Sequence, residues 1–185
     1  MARIFLALTP NKELNDQIIE LKKELKNTVL SDAEITWQKN NDHHLTVNFV
    51  GSMEPEQIEE MYTGLTGINF MNNLEVNITS IAFFPNEDSQ LLVAVIKTSN
   101  ALQNVFNKVD EVVTRIGFGS SLKKFRPHIT LGRFKDKTRP TYTFEKFEEL
   151  SLSSKINSLD VYESEFDKGK TSYSLLKNFE FNRRS

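Results

Sequence analysis

The chain has 185 residues, of which 38% are apolar and 26% charged, as in globular proteins with one substantial core or two small lobes. Its formal net charge of −2 excludes the global basic field of a general nucleic-acid binder, so a polyanionic partner would need a local basic patch. The absence of cysteine excludes disulfides, thiol nucleophiles and cysteine–zinc sites. No apolar run reaches membrane-spanning length, and we expect a cytoplasmic monomer with no membrane contact.

Hydrophobic periodicity predicts most of the secondary structure along the chain. Short apolar or alternating stretches bounded by turn residues indicate strands at residues 3–8, 33–38, 41–51, 73–84, 90–98, 125–133, 144–163 and 173–182. Apolar side chains at steps of three and four indicate amphipathic helices at residues 12–29, 55–65 and 102–116.

The order strand, long helix, strand occurs twice, over residues 3–50 and again over residues 90–133. Such a repeat favours an internal duplication in which each half contributes one strand to a shared groove. We therefore expect an α+β fold that is bilobal, with pseudo-two-fold duplicated strand–helix–strand units whose antiparallel sheets line a central groove. No linker-like segment interrupts the chain, so residues 1–185 should form a single domain.

Each repeat ends in a strand with the pattern His-apolar-Thr-apolar. The two copies are His44-Leu-Thr-Val and His128-Ile-Thr-Leu. Because alternate residues of a strand share a face, His44 lies with Thr46 and His128 lies with Thr130, while the intervening apolar residues face the core. The adjacent His43 has the opposite parity, and we interpret it as a histidine on the core side or at the strand edge.

Two imidazoles and two hydroxyls around one groove suit an in-line displacement at phosphorus. One neutral imidazole can take a proton from the attacking oxygen, while the other gives a proton to the leaving oxygen. The hydroxyls can hydrogen-bond the non-bridging oxygens, where charge accumulates. A 2′,3′-cyclic phosphate needs no metal ion to make its nucleophile when a neutral histidine acts as base, so we expect neither a metal nor a cofactor.

Basic residues are concentrated around the second motif. The basic side chains of segment 123–139 are Lys123, Lys124, Arg126, Arg133, Lys135, Lys137 and Arg139, with Asp136 as the only acid. On a slightly acidic chain, this segment predicts a local patch for an anionic ligand. Arg126 shares the parity of His128, whereas Arg133 has the other parity near the strand end. Either arginine could bind the substrate phosphate as a bidentate fork.

Other interpretations of these residues stay open. Each motif taken alone could be an ordinary strand with a structural histidine. Core packing explains Phe49, Phe125 and Phe134 better than base stacking does in a chain this rich in phenylalanine. A histidine metal site has weak support. Asp42 shares the strand parity of His44, but no acidic residue stands at the equivalent position before His128. The chain could also be a non-catalytic module that binds RNA ends.

The motifs and their surroundings resemble the two-histidine phosphoesterase superfamily, and within it the bacterial and archaeal 2′-5′ RNA ligases, also called RNA 2′,3′-cyclic phosphodiesterases. The resemblance covers nearly the whole chain. Its residues are the opening Arg3-Ile-Phe-Leu-Ala-Leu, Trp37, His44-Leu-Thr-Val, Phe49-Val-Gly51, Phe125-Arg-Pro-His-Ile-Thr-Leu-Gly-Arg133, Leu159-Asp-Val-Tyr-Glu-Ser164, Gly169 and Tyr173.

The resemblance implies a metal-independent enzyme that hydrolyses 2′,3′-cyclic phosphate ends to 2′-phosphates and can join RNA ends through a 2′-5′ linkage in reverse. Its partners would be RNA ends or nucleoside 2′,3′-cyclic phosphates. It also implies that His44 is the proton donor to the leaving 3′-oxygen and His128 the proton acceptor that activates water. Thr46 and Thr130 would hold the phosphoryl oxygens. Alternative substrates are 2′-5′-linked oligonucleotides and ADP-ribose cyclic phosphate.

Overall fold

The computed structural model describes residues 2–68, 70, 74–120, 125–135, 142–167 and 170–181. The strands within these ranges are β1 Ala2–Leu8, β2 Ile35–Trp37, β3 Leu45–Met53, β4 Leu74–Phe84, β5 Leu91–Ile96, β6 His128–Phe134, β7 Leu152–Ile156, β8 Ser158–Asp167 and β9 Lys170–Glu180. The helices are α1 Lys12–Asn27, α2 Pro55–Thr66 and α3 Asn100–Arg115, and short 3-10 turns lie at Asn40–Asp42 and Glu145–Phe147. Within those ranges, no helix has the length and apolar character needed to cross a lipid bilayer.

The two motif strands meet at the centre of a continuous antiparallel sheet. The strand order is β7-β4-β5-β6-β3-β1-β8-β9, and β2 pairs with β6 off this path. At the centre, Leu45 of β3 lies opposite Ile129 of β6. From this pair the two halves repeat outward, with β1 beside β3 and β5 beside β6. The units β1–α1–β3 and β5–α3–β6 therefore confirm the predicted α+β fold with pseudo-two-fold duplicated strand–helix–strand units.

Both long helices begin at a side-chain cap and bury an apolar stripe against one face of the sheet. The side-chain oxygen of Asn11 accepts a hydrogen bond from the Leu14 N–H, and that of Ser99 accepts one from the Leu102 N–H. The buried apolar residues of α1 and α3 are Leu14, Ile18, Leu21, Leu25, Leu102, Val105, Phe106, Val109, Val112 and Val113. They share one core with the apolar residues of the motif strands, so the other sheet face is left for the histidines.

The sheet curves until its two ends approach each other. Strand β7 pairs with β4 near one end of the sheet, and β8 pairs with β1 near the other, yet Asn157 alone separates β7 from β8 in the chain. Asn11 at the start of α1 donates hydrogen bonds to the Ser154 hydroxyl and the Lys155 carbonyl of β7. The core is therefore enclosed by the curved sheet and the helices.

Three predicted strands differ from the structure. The strand predicted from residue 41 begins at Leu45, because Asn40–Asp42 forms a 3-10 turn. The strand predicted from residue 125 begins at His128, since Pro127 has no N–H to donate to a ladder. The single strand predicted over 144–163 is a 3-10 turn followed by β7 and β8, which pair at different ends of the sheet. Gly169, one of the residues that carry the family resemblance, lies outside the described residues.

Each motif strand contains a bulge at the last residue of its motif. Beyond the bulge, the residues that would face the core face the open side of the sheet, and the reverse. In β3, Thr46 lies opposite Ala7 but Asn48 lies opposite Leu6, so Val47 is the additional residue. In β6, Thr130 lies opposite Val93 but Gly132 lies opposite Leu92, so Leu131 is the additional residue. A bulge shifts alternation by one residue. The residues five positions after the histidines, Phe49 and Arg133, therefore lie on the same face as the histidines.

Gly132→Ala should lower the free energy of unfolding by about 1–3 kcal/mol through overpacking. A Cβ at Gly132 would lie 2.7 Å from Ile35 Cγ2 and 3.1 Å from the Thr36 carbonyl oxygen, where β2 pairs with β6. Urea denaturation measures the change. Gly119→Ala is the control, because nothing lies within 4 Å of its added Cβ. Equal stability of the two variants would contradict the close approach of β2 to β6.

Candidate active site

The four motif residues lie together on the open face at the centre of the sheet. His44 immediately precedes β3 and His128 begins β6, and both histidines and both threonines are half-buried. The neighbouring apolar residues Leu45, Val47, Ile129 and Leu131 belong to the core. The predicted alternation of the two motifs is therefore confirmed. The histidines are close enough that the charge of His128 contributes to lowering the pKa of His44, after the larger effect of burial.

Both imidazoles are held in the same tautomer. Nδ1 of His44 lies 2.8 Å from the carbonyl oxygen of Asp42, and Nδ1 of His128 lies 2.8 Å from the carbonyl oxygen of Arg126. A carbonyl oxygen can only accept, so Nδ1 carries the proton in each ring. Nε2 of each ring is then the atom that can exchange a proton with a ligand.

Aromatic rings fix the planes of the two imidazoles. The His44 ring centroid lies 5.0 Å from that of Phe5 and 5.2 Å from that of Tyr173, the latter in an edge-on contact. His128 stacks on Phe84 with 3.9 Å between centroids, and the Arg126 guanidinium lies 4.5 Å from the centre of the same ring. Sequence reasoning missed Phe5 and Phe84 as site residues, because their strands carry no local signal that separates them from core phenylalanines.

Two cavities flank the histidine pair. The cavity beside His44 has a volume of about 140 Å³, and its lining includes Phe5, Asp42, Tyr162, Tyr173 and Leu175. The cavity beside His128 has a volume of about 320 Å³, and its lining includes Phe84, Val93, Val95, Phe125 and Arg126. The second volume is at the lower end of the range for small-molecule sites. Among the residues that the structure describes, no three His, Asp or Glu side chains are grouped to bind a metal ion.

Phe49 is 75% exposed, so the expectation that it packs in the core is wrong. The bulge at Val47 puts Phe49 opposite Phe5, and the two rings lie 5.8 Å apart on the open face. Core packing is confirmed for Phe134, which is buried, and for Phe125, which stacks on Phe106 of α3 at 4.5 Å.

The structure brings Arg126 to the site and leaves Arg133 further along the sheet. Arg126 is exposed and lines the cavity beside His128. Arg133 pairs with the exposed Thr36 on the face opposite the core, so its predicted parity is wrong because of the bulge at Leu131. It lies three residues beyond Thr130, or about 10 Å along the strand.

Most of the predicted basic patch falls outside the described residues. Those positions are Lys123, Lys124, Asp136, Lys137 and Arg139. The remaining lysine, Lys135, has its ammonium group 3.9 Å from a carboxylate oxygen of Glu34. The positive charge that the described part of the segment places at the histidines is therefore that of Arg126.

His43 is buried on the core side, as its parity predicts. Its Nδ1 lies 2.7 Å from the Asn15 side-chain oxygen, and its Nε2 accepts from the Lys22 ammonium at 3.1 Å. Burial, together with the charges of Lys22 and His44, lowers the pKa of His43 to about 4. Burial also lowers the pKa of Lys22 to about 8. His43 is thus a neutral structural group that ties α1 to the start of β3.

Burial lowers the pKa of both motif histidines, but their neighbours act on them in opposite directions. At His44, the Asp42 carbonyl and the charge of Asp42 favour the protonated ring and oppose the effect of burial. At His128, the Arg126 carbonyl also opposes burial, whereas the charge of Arg126 adds to it. The arrangement can therefore hold one protonated and one neutral imidazole at the same ligand.

Comparisons with known proteins find relatives of this chain in sequence and in fold. The family model described as LigT like Phosphoesterase matches residues 8–95, which include the first motif and end before the second. A protein of Thermotoga maritima named RNA 2′,3′-cyclic phosphodiesterase is 25% identical over 150 residues, or 80% of this chain and 75% of that protein. An Aeropyrum pernix protein of the same name is 26% identical over 99 residues, which are 52% of this chain and 56% of that protein.

Solved structures share the fold over almost the whole chain. The crystal structure of Escherichia coli LigT complexed with 3′-AMP has a TM-score of 0.79 at 20% identity and covers 98% of this chain and 99% of that one. A Thermus thermophilus protein reaches a TM-score of 0.82 at 17% identity, with 99% and 100% covered.

The chain is therefore similar to LigT-like phosphoesterases in sequence over residues 8–95 and to Escherichia coli LigT in fold over nearly its whole length. The two relatives, which are 25% and 26% identical to this chain, are both named as phosphodiesterases.

His43 should make the protein less stable in acid. Its pKa is about 4 in the folded protein against 6.5 in an unfolded chain, so the unfolded state binds more protons between these values. The free energy of unfolding should therefore decrease by about 3 kcal/mol as the pH falls from 6.5 to 4. Urea denaturation across this range should show a shallower dependence in His43→Gln than in wild type. Equal slopes would contradict a neutral, buried His43.

Proposed function

We propose that the chain is a metal-independent 2′,3′-cyclic phosphodiesterase that converts the cyclic phosphate ends of RNA, or nucleoside 2′,3′-cyclic phosphates, into 2′-phosphates. The observation that carries the proposal is the pair of imidazoles at the β3–β6 contact, with the same tautomer and a threonine two residues after each. The names of the relatives from Aeropyrum pernix and Thermotoga maritima support this substrate class. The 3′-AMP in Escherichia coli LigT supports nucleotide binding.

In this reaction, water attacks phosphorus on the side opposite the 3′-oxygen. Neutral His128 accepts a proton from the water at Nε2 as the new P–O bond forms. The P–O3′ bond breaks, and the 3′-oxygen takes its proton from Nε2 of protonated His44. The products are a 2′-phosphate and a free 3′-hydroxyl. Exchange of protons with solvent then returns His44 to its protonated form and His128 to its neutral form.

The other site residues stabilise the charge that develops on the phosphoryl group. Thr46 and Thr130 share the face of their histidines, so their hydroxyls can donate to the non-bridging oxygens. Arg126, which lines the cavity beside His128, adds a positive charge and a bidentate donor. Arg133, exposed further along the strand, can contact a more distant phosphate of an RNA chain. The exposed ring of Phe49 offers a stacking surface for a base.

His44→Ala and His128→Ala should each reduce turnover of a nucleoside 2′,3′-cyclic phosphate by about 10²–10⁴-fold, because each removes one proton-transfer group. Turnover is measured in EDTA, and the product is identified as a 2′- or 3′-phosphate on the same samples. Binding of 3′-AMP to both variants serves as the control for an intact groove. A 2′-phosphate from wild type in EDTA is the expected result.

Three results would contradict the proposal. A clear loss of wild-type activity in EDTA would exclude the metal-independent mechanism. Turnover that survives either histidine substitution would mean that the motif residues serve only the structure of the strands. The chain would then be a module that binds RNA ends. Cleavage of 2′-5′-linked oligonucleotides in preference to cyclic phosphates would mean that the site performs the same chemistry on a different substrate.

Arg126→Gln should raise the KM for the cyclic phosphate about tenfold, because it removes a charge-assisted contact to the substrate phosphate. Each variant is assayed at its own optimum pH, so that a change in histidine protonation does not mask the effect. Lys135→Gln removes the same charge from an exposed residue near Glu34 and is the matched control. Equal effects of the two substitutions would indicate general attraction by surface charge, and added salt would then reduce both equally.

A further inference from the structure

We propose that Asp42 sets the direction of proton transfer between the two histidines, and that Arg126 reinforces it from the equivalent position of the second motif. Asp42 is a positioning residue, since it acts through His44 and not on the substrate. The inference rests on the proposed phosphodiester hydrolysis and adds the physical cause that makes one of two equivalent histidines the donor.

The two histidines have equivalent main-chain environments and opposite charged neighbours. Asp42 and Arg126 each stand two residues before a motif histidine, and each main-chain carbonyl accepts from Nδ1 at 2.8 Å. The main chain therefore fixes the same tautomer at both positions and cannot distinguish them. The side chains at these two positions carry a negative charge at His44 and a positive charge at His128.

The turn that carries Asp42 is held in place by Lys22 of α1 and by Gln38, the residue after β2. The Lys22 ammonium donates to the Gln38 carbonyl at 2.6 Å and to the Asn40 side-chain oxygen at 3.0 Å. The Gln38 side chain in turn donates to the Asp42 carbonyl at 3.2 Å, the same oxygen that binds His44. These contacts hold Asp42 at the wall of the His44 cavity.

Asp42 is partly withdrawn from solvent. Its side chain is 23% exposed, so solvent screens its charge less than that of a fully exposed carboxylate. Lys39 lies 3.9 Å from the Asp42 carboxylate, but the Lys39 side chain is 74% exposed, and a pair with such an exposed partner is weak. The negative charge of Asp42 therefore remains effective at His44.

Of the other described titratable groups around His44, those that line its cavity carry no negative charge at neutral pH, and the buried carboxylate of Asp160 behind Tyr162 accepts hydrogen bonds from Thr9 and Asn178. Burial raises the pKa of Tyr162 from β8 and of Tyr173 from β9, which keeps both hydroxyls neutral. His43 behind His44 is neutral, and its partner Lys22 directs its ammonium to His43 and to the turn. Across the groove, the charge of His128 disfavours a proton on His44.

Among the described residues, the cavity beside His128 is lined mostly by apolar side chains, with Arg126 as its charged residue and Thr98 as a further polar one. The His128 ring stacks on Phe84 of β4, and its cavity is lined by Val93 and Val95 of β5. The guanidinium of Arg126 disfavours a second positive charge here, while Asp42 favours one at His44. Together, the charges of Asp42 and Arg126 favour the state with the shared proton on His44, whereas the burial of His44 and the charge of His128 oppose it. The state with the proton on His44 is the one from which His128 can activate water and His44 can protonate the 3′-oxygen.

Asp42→Asn tests the inference, because it removes the charge and retains the size and main chain. The C–H signals of the imidazoles are followed by NMR from pH 4 to 9 in the full chain, and kcat/KM for a nucleoside 2′,3′-cyclic phosphate is measured over the same range. We expect a lower pKa for His44 in Asp42→Asn. The descending alkaline limb of the bell-shaped rate profile, which reports the proton donor, should move to lower pH with it.

Two controls separate charge from structure. Asp42→Glu retains the charge and should keep the wild-type order of titration. Asp16→Asn makes the same change in net charge on the exposed side of α1, where Asp16 pairs with Lys12, and should leave both histidines unchanged. If Asp42→Asn shifts His44 no more than Asp16→Asn does, the inference is overturned.

Arg126→Gln provides an independent test that does not depend on the folding of the Asp42 variant. It should raise the pKa of His128 and move the ascending acid limb of the profile to higher pH; an unchanged His128 titration would overturn the role of Arg126. If wild type does not turn over the cyclic phosphate, the proposed function fails. The NMR titrations then still decide whether Asp42 controls the protonation of His44.

Discussion

The contact between β3 and β6 is the interaction on which the rest of the structure depends. It joins two motifs that are 84 residues apart in the sequence and places their histidines on one face. Leu45 and Ile129, opposite each other in this contact, are fully buried, and a slip of one residue would turn them to the open face and the histidines into the core. Burial of apolar side chains on one face thus specifies the geometry of the polar site on the other.

The duplicated fold supplies two nearly identical main-chain settings, and the side chains make them different. Both imidazoles bind the carbonyl two residues earlier, but Asp42 provides one of these carbonyls and Arg126 the other. The residue between is the buried His43 in the first motif and Pro127 in the second. Symmetry therefore accounts for two imidazoles in phase, whereas a reaction that needs a distinct acid and base depends on departures from symmetry.

The contacts that hold the two motif histidines in place also differ between the two halves. In the first half, the buried Lys22 of α1 donates a hydrogen bond to the Gln38 carbonyl in the segment before His44. Burial lowers the pKa of the Lys22 ammonium group to about 8. In the second half, an aromatic stack on Phe84 holds both His128 and Arg126. Hydrogen bonds from Lys22 hold the segment before His44, and the ring of Phe84 stacks on His128. Both imidazoles therefore have a defined orientation.

The sequence by itself determined the helices, most strands, the duplication and the shared face of each histidine with its threonine. These features follow from local periodicity, which burial of one face of a strand or helix imposes on consecutive residues. Only the tertiary structure decided the positions of Phe49 and Arg133, because the bulges at Val47 and Leu131 exist only in relation to the paired strands β1 and β5. It also decided the division of residues 144–163 between two ends of the sheet and the contacts of Phe5 and Phe84 with the imidazoles. Alternation along one strand carries no information about its partner, so these features depend on which distant segments pair.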